Sequence, residues 1–219
     1  MTITSEVFQV GGDGFTSSLD GSVYLINTCG HSALVDAGCG KSVDKLLRNV
    51  QNHGTALSQI EYLMITHCHY DHTGGIRDIR ERTKCKVITH ELDANFLEEG
   101  DESVTGARWY GGSLPGLTID IKLTEKRETI DLGGRKIHAI HVPGHSPGSL
   151  VYLMESEGLK VLFGQDVHGP FHDGLRSSRE KYVRSLNLMI SLQADILCEG
   201  HYGIFRGKEK VEAFITSFM

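Results

Sequence analysis

The stretch from Thr66 to Gly75, THCHYDHTGG, sets three histidines and an aspartate into six consecutive positions and follows them with two glycines. With 12 histidines in 219 residues, and aspartate about as frequent, the spacing H-x-H-x-D-H arises by chance about 0.002 times in a chain this long. Imidazole and carboxylate are donors that suit zinc, iron or manganese. Three more such donors occur later: His145 in HVPGHSPGS, Asp166 in VLFGQDVHG and His201 in ILCEGHYG. Each follows an apolar run and has glycine close by, which lets the backbone turn sharply and bring side chains from separate strands to one point. With His67, His69, Asp71 and His72 they make seven nitrogen and oxygen donors. Any one alone reads as an ordinary turn residue, Asp71 as a helix N-cap before HTGGIRDI; seven together read as a site.

The elements around these residues are those that could hold them. EVFQV, SVYLIN and SALVDAG are short β segments separated by turn material, and SVDKLLRNVQNHG carries Val43, Leu46, Leu47 and Val50 at helical spacing before a closing glycine. EYLMIT is a nearly continuous apolar run, the pattern of a strand covered on both faces, so the histidine cluster is expected on the loop at its end. IRDIRERTK and HELDANFLEEG read as helices around the strand KVIT. Residues 100–116 have no period, hold the sole tryptophan and read as a long functional loop. Strands resume in LTIDIKL, TIDLGGRKIHAIHV, SLVYLME and LKVLFG, and helices are expected at about 179–192 and 208–218, with the strand ADILCEG between them. Strands and helices in both halves predict an α/β protein, a four-layer αββα sandwich, over one domain spanning 1–219.

Composition narrows the partners. Net charge is −6, with lysine and arginine scattered rather than striped, which argues against nucleic acid and leaves a small-molecule substrate. No apolar stretch is long enough to span a bilayer and no signal core opens the chain, so no membrane is expected and the expected location is cytoplasmic. The five cysteines are odd in number and form no C-x-x-C pair, which predicts reduced thiols. Nothing in the sequence specifies an assembly; a homodimer is allowed.

The seven donors, in this order and over nearly the whole chain, resemble the metallo-β-lactamase superfamily. The resemblance implies that His67, His69 and His145 hold one metal, that Asp71, His72 and His201 hold a second, and that Asp166 bridges them. It implies two zinc ions per chain, with iron or manganese also suited, and attack by a metal-bridging hydroxide on an ester, thioester or lactone, with Asp71 as catalytic acid for a poor leaving group. Asp166 and the H-x-H-x-D-H cluster resemble the glyoxalase II-like and lactonase branches; β-lactamase branches carry cysteine or serine where Asp166 falls. Glyoxalase II carries a C-terminal helical extension that helps bind glutathione, whereas this sequence ends 18 residues after His201, so specificity for glutathione thioesters is not expected. A mononuclear iron persulfide dioxygenase and a metal-loaded, non-catalytic effector or sensor are the alternative expectations.

Asp36 in LVDAG resembles a recurrent family position beside the metals, which gives it an expected role in orienting a ligand. Trp109 and Tyr110 are expected as one wall of the substrate pocket, and His168, two residues past Asp166, as a lining residue. His90, His138 and His141 read as structural. Cys68, between two donors in an extended segment, should point away from both.

Overall fold

A computed structural model describes residues 1–219. The chain enters as an antiparallel meander of β1 (Val7–Gly11), β2 (Val23–Thr28) and β3 (His31–Val35). Helix α1 (Val43–Asn52) crosses one face, burying the four apolar residues at helical spacing. The chain then alternates: β4 (Ile60–Met64), α2 (Tyr70–Thr73), α3 (Ile76–Thr83), β5 (Lys86–His90), α4 (Glu91–Glu99) and β6 (Ile121–Leu123). From β3 to β6 all neighbours pair in parallel, a pairing that needs the crossovers these helices supply.

The second sheet opens with a hairpin of β7 (Arg127–Leu132) and β8 (Arg135–His141), turned by Gly133 and Gly134, both at positive φ as a two-residue hairpin of this kind requires. It continues antiparallel through β9 (Leu150–Ser156) and β10 (Leu159–Phe163). Helix α5 (Arg179–Ser191) then crosses over to β11 (Ile196–Cys198), parallel to β10. The strand β12 (Ile204–Arg206) and helix α6 (Lys208–Thr216) complete it.

Strand alternation explains the layers. In β2, Val23 and Leu25 join the core beneath α1, α3 and α4, while Tyr24 and Ile26 face the other way, into a core shared with Ile137, Tyr152 and Phe163 of the second sheet. A third core sets Val151, Leu153 and Leu162 against Tyr182, Leu186 and Met189 of α5 and Val211 and Ile215 of α6. This is the expected αββα sandwich. No helix is long and apolar enough to cross a membrane. All five cysteines are free thiols.

Local expectations need three corrections. The metal-donor cluster is not wholly on a loop: Asp71 and His72 lie in the single turn α2, because Tyr70 to Thr73 are free to coil once His69, extended at φ −68° and ψ 148°, caps them. Of LTIDIKL only Ile121–Leu123 is strand; the residues before it run past α4, with Leu117 N–H donating to Leu97 C=O. The short strand β12 lies in a segment with no recognised strand pattern, since only three residues pair.

Candidate metal centre

All seven donors gather between the ends of the two sheets. His67 and His69 leave the end of β4, Asp71 and His72 project from α2, and His145, Asp166 and His201 follow β8, β10 and β11. Their donor atoms form two groups, each within 4.8 Å: His67, His69 and His145 in one, Asp71, His72, Asp166 and His201 in the other. Six of the seven are buried, and the His201 side chain is about a third exposed. Asp166 touches both groups: Oδ1 lies 3.1 Å from His72 Nε2, and Oδ2 lies 3.5 Å from His201 Nε2 and 3.6 Å from His145 Nε2. This approach depends on Gly200, where a Cβ would fall 2.1 Å from Asp166 Oδ1.

The outer nitrogens of three imidazoles are engaged, which turns their inner nitrogens inward. Asp36, at the end of β3, accepts from Thr66 N–H with Oδ1, and from both Thr66 Oγ1 and His72 Nδ1 with Oδ2, all at 2.8 Å. Because the Thr66 hydroxyl donates to Asp36, it accepts from His67 Nδ1–H at 2.9 Å. His145 Nδ1 donates to Pro170 C=O at 3.2 Å. One carboxylate thus fixes the tautomer of a histidine in each group, the role expected of it.

What remains is nitrogen facing nitrogen: His67 Nε2 lies 3.2 Å from His145 Nε2, and His72 Nε2 lies 3.3 Å from His201 Nε2. Two nitrogens bound at about 2.0–2.1 Å to one tetrahedral zinc stand about 3.3 Å apart, so both spacings suit a shared cation. His69 Nε2 is buried with no hydrogen-bond partner. The residues present therefore fit a metal in each group.

Electrostatics divide the groups in the same way. Burial, with its imidazole neighbours, holds His67 well below the ordinary histidine value, and burial brings His69 to about 3 and His145 to about 4. These are neutral imidazoles, ready to donate. In the other group burial pulls in the same direction but loses to carboxylates: Asp166, Asp71 and Asp36 raise His72 well above its usual range, and Asp166 and Asp71 raise His201 to about 10. Burial would raise Asp71 and Asp166, yet His72 and His201 hold both below the usual carboxylate range.

The centre opens into a cavity of about 120 Å³, whose lining includes His69, Asp71, Trp109, Tyr110, His168 and Leu175. The three residues expected from sequence to line a pocket are all there. Trp109 is 59% exposed, on a 3₁₀ turn (Ala107–Tyr110) within the long loop. His168 Nδ1 donates to Glu199 Oε1 at 3.0 Å. His138 lies away from the site, bonded through Nδ1 to Thr129 Oγ1, while His90 and His141 stack on each other, ring centroids 3.9 Å apart. Cys68 is buried in the core and is not among the clustered donors. Two residues that sequence reasoning missed, Asp93 and Glu199, sit behind the donors. Their signal was a carboxylate where an apolar residue belongs: on the inner face of α4 and at the end of β11.

Comparison with known proteins agrees with the geometry. Curated relatives include a probable metallo-hydrolase, MJ0888, of Methanocaldococcus jannaschii, 29% identical over 68% of this chain and 68% of its own. They also include the human acyl-coenzyme A thioesterase MBLAC2, 25% identical over 97% of this chain and 84% of that protein. Among solved structures, the native FEZ-1 metallo-β-lactamase from Legionella gormanii superposes with a TM-score of 0.83 over 100% of this chain and 91% of that one, at 21% identity, a likeness of fold alone. The family model described as metallo-beta-lactamase superfamily matches residues 18–201. The chain belongs to the metallo-β-lactamase superfamily, among the metallo-hydrolases.

Proposed function

We propose that this protein is a dinuclear metal-dependent hydrolase whose preferred bond is the thioester of a small acyl group, with esters and lactones as related substrates. The observation that carries this reading is the paired donor set, three histidines beside two aspartates and two histidines, with Asp166 against both and a cavity at its mouth. The thioesterase relatives, aligned over nearly the whole chain, support the choice of bond.

When bound, the two metals supply Lewis acidity and lower the pKa of water towards 7. His67, His69 and His145 would hold the first, and Asp71, His72 and His201 the second, with Asp166 shared. Zinc suits these donors, as do iron and manganese. The rest falls to the protein. Asp71 borders the cavity, and its carboxylate can carry a proton to an alkoxide leaving group; a thiolate needs none. Burial, then Asp71, pushes the Tyr110 phenol up, so it stays a hydrogen-bond donor at the cavity wall. Trp109 and Leu175 offer apolar surface to the acyl group and exclude water from it. With its Nδ1 proton committed to Glu199, His168 has Nε2 left to meet a polar substrate atom.

Metal analysis of the purified protein, together with assays on thioesters, lactones and phosphodiesters, tests this. About two metals per chain and turnover of a thioester are expected. One iron per chain, oxygen uptake with a persulfide and no hydrolysis would replace it with the oxidative reading.

A further inference from the structure

Behind the donor groups lie two carboxylates outside the cavity lining, and each is spent on a different set of donor loops. Asp93, on α4 and fully buried, accepts from Cys68 N–H at 2.9 Å and from Ser146 Oγ at 2.5 Å with Oδ2, and from Gly148 N–H at 2.6 Å with Oδ1. Cys68 stands between His67 and His69, and Ser146 follows His145. The fit is close: a Cβ on Gly148 would lie 2.7 Å from the Asp93 carboxyl.

Glu199, also fully buried, serves the other group. Its Oε1 accepts from Val167 N–H at 2.9 Å and His168 Nδ1 at 3.0 Å, and its Oε2 from His201 N–H and Tyr202 N–H, both at 2.7 Å. Val167 follows Asp166. A carboxylate is an acceptor at both oxygens, with about four lone-pair sites, so it alone among side chains of this size can gather such a set of donors. A charge kept in the interior against its desolvation cost must be returned by such bonds. The Thr66–His72 segment that Asp93 holds also carries Asp71 and His72, and Asp166 touches both groups, but no loop is held by both carboxylates.

We propose that Asp93 and Glu199 are positioning residues that each act chiefly on one metal site: Asp93 on the site of His67, His69 and His145, and Glu199 on the other site through Asp166 and His201. The inference rests on the two-metal reading above. Asp93→Asn and Glu199→Gln keep the shape of each side chain but replace one oxygen by an NH₂, which cannot accept, opposite protein N–H or O–H donors. Each variant should therefore bind about 10- to 100-fold more weakly at its own site, with a smaller loss at the other.

Cobalt(II) titration of the apo protein reads this without any assay of turnover. The two sites have separate reporters in the Nδ1 protons of His145, held by Pro170, and of His72, held by Asp36, whose resonances shift strongly when the ring binds cobalt. In Glu199→Gln the His145 signal should be displaced little from its wild-type cobalt concentration and the His72 signal displaced much further; Asp93→Asn should invert the order. Circular dichroism of the metal-free variants checks folding. Where a carboxamide variant does not fold, Ser146→Ala for the first site and Glu199→Asp for the second carry the same test with a smaller expected shift. Equal weakening of both sites, or of neither, overturns the proposal while leaving the two-metal reading intact. A wild-type protein that takes up no cobalt overturns that reading and the proposal with it.

Discussion

Replacing Asp36 by asparagine isolates the carboxylate that orients His72 directly and His67 through the Thr66 hydroxyl. Asp36 sits at φ 64°, a left-handed conformation that asparagine adopts at least as readily, so the backbone has no reason to move. Volume is unchanged as well. What changes is the pair of oxygens: Oδ1 accepts one bond and Oδ2 accepts two, including the His72 Nδ1–H at 2.8 Å. Either orientation of the amide sets an NH₂ against a donor. A hydrogen bond to a charged group is worth about 1.5–3 kcal/mol, and losing the one that orients His72 weakens metal binding there by about 10- to 100-fold. His67 is reached only through the Thr66 hydroxyl, which survives, so the first site should lose less. Metal retained against rising chelator concentration, measured beside thioester turnover, resolves two steps in the wild type and should show the weaker step displaced in the variant. A folded Asp36→Asn protein that holds both metals as tightly as the wild type refutes the assignment of Asp36 as the residue that orients His72.

Other expectations follow from the same geometry. Stability of the metal-free chain should rise with pH from about 3 to 6.5, because His69 and His145, brought by burial to about 3 and about 4, are protonated in that window only when unfolded; it should then fall towards pH 10, because His72 and the raised His201 keep their protons only when folded. Thermal melts in chelator across that range check both slopes. Gly21→Ala would set a Cβ 2.4 Å from the His72 ring, an overpacking that costs about 1–3 kcal/mol and should release the second metal first, as metal analysis would reveal. Trp109→Ala should raise KM several-fold with metal content and melting temperature nearly unchanged, since the indole is mostly exposed; loss of folding would mark Trp109 as an anchor of its loop.

The layered fold was legible because the strands alternate or run apolar where each core requires it, as Val23 to Ile26 do, and because Val43, Leu46, Leu47 and Val50 share one helical face. Four of the donors were legible from the H-x-H-x-D-H spacing, and His145, Asp166 and His201 because each follows an apolar run with glycine close by. What escaped was whatever depends on contact across the sandwich. A carboxylate in an apolar place marks Glu199 and Asp93 as unusual, but nothing local names their partners, the loops on both sides of Glu199 or the Ser146 that lies 53 residues after Asp93. The turn of α2 escaped for the opposite reason: four residues are too few to carry a period, and its geometry is imposed by its ends.

The division of the donors between the two sheets has a consequence for assembly. His67, His69, Asp71 and His72 belong to the half of the chain that builds the first sheet, and His145, Asp166 and His201 to the half that builds the second. Neither donor group is complete within one half. On the proposed reading, metal uptake therefore comes late in folding, after the halves have met, and each ion then acts as a rivet across the seam. Bound metal should slow the parting of the sheets far more than it slows local opening within either one, so that exchange protection gained on loading would concentrate in the core that Tyr24, Tyr152 and Phe163 share.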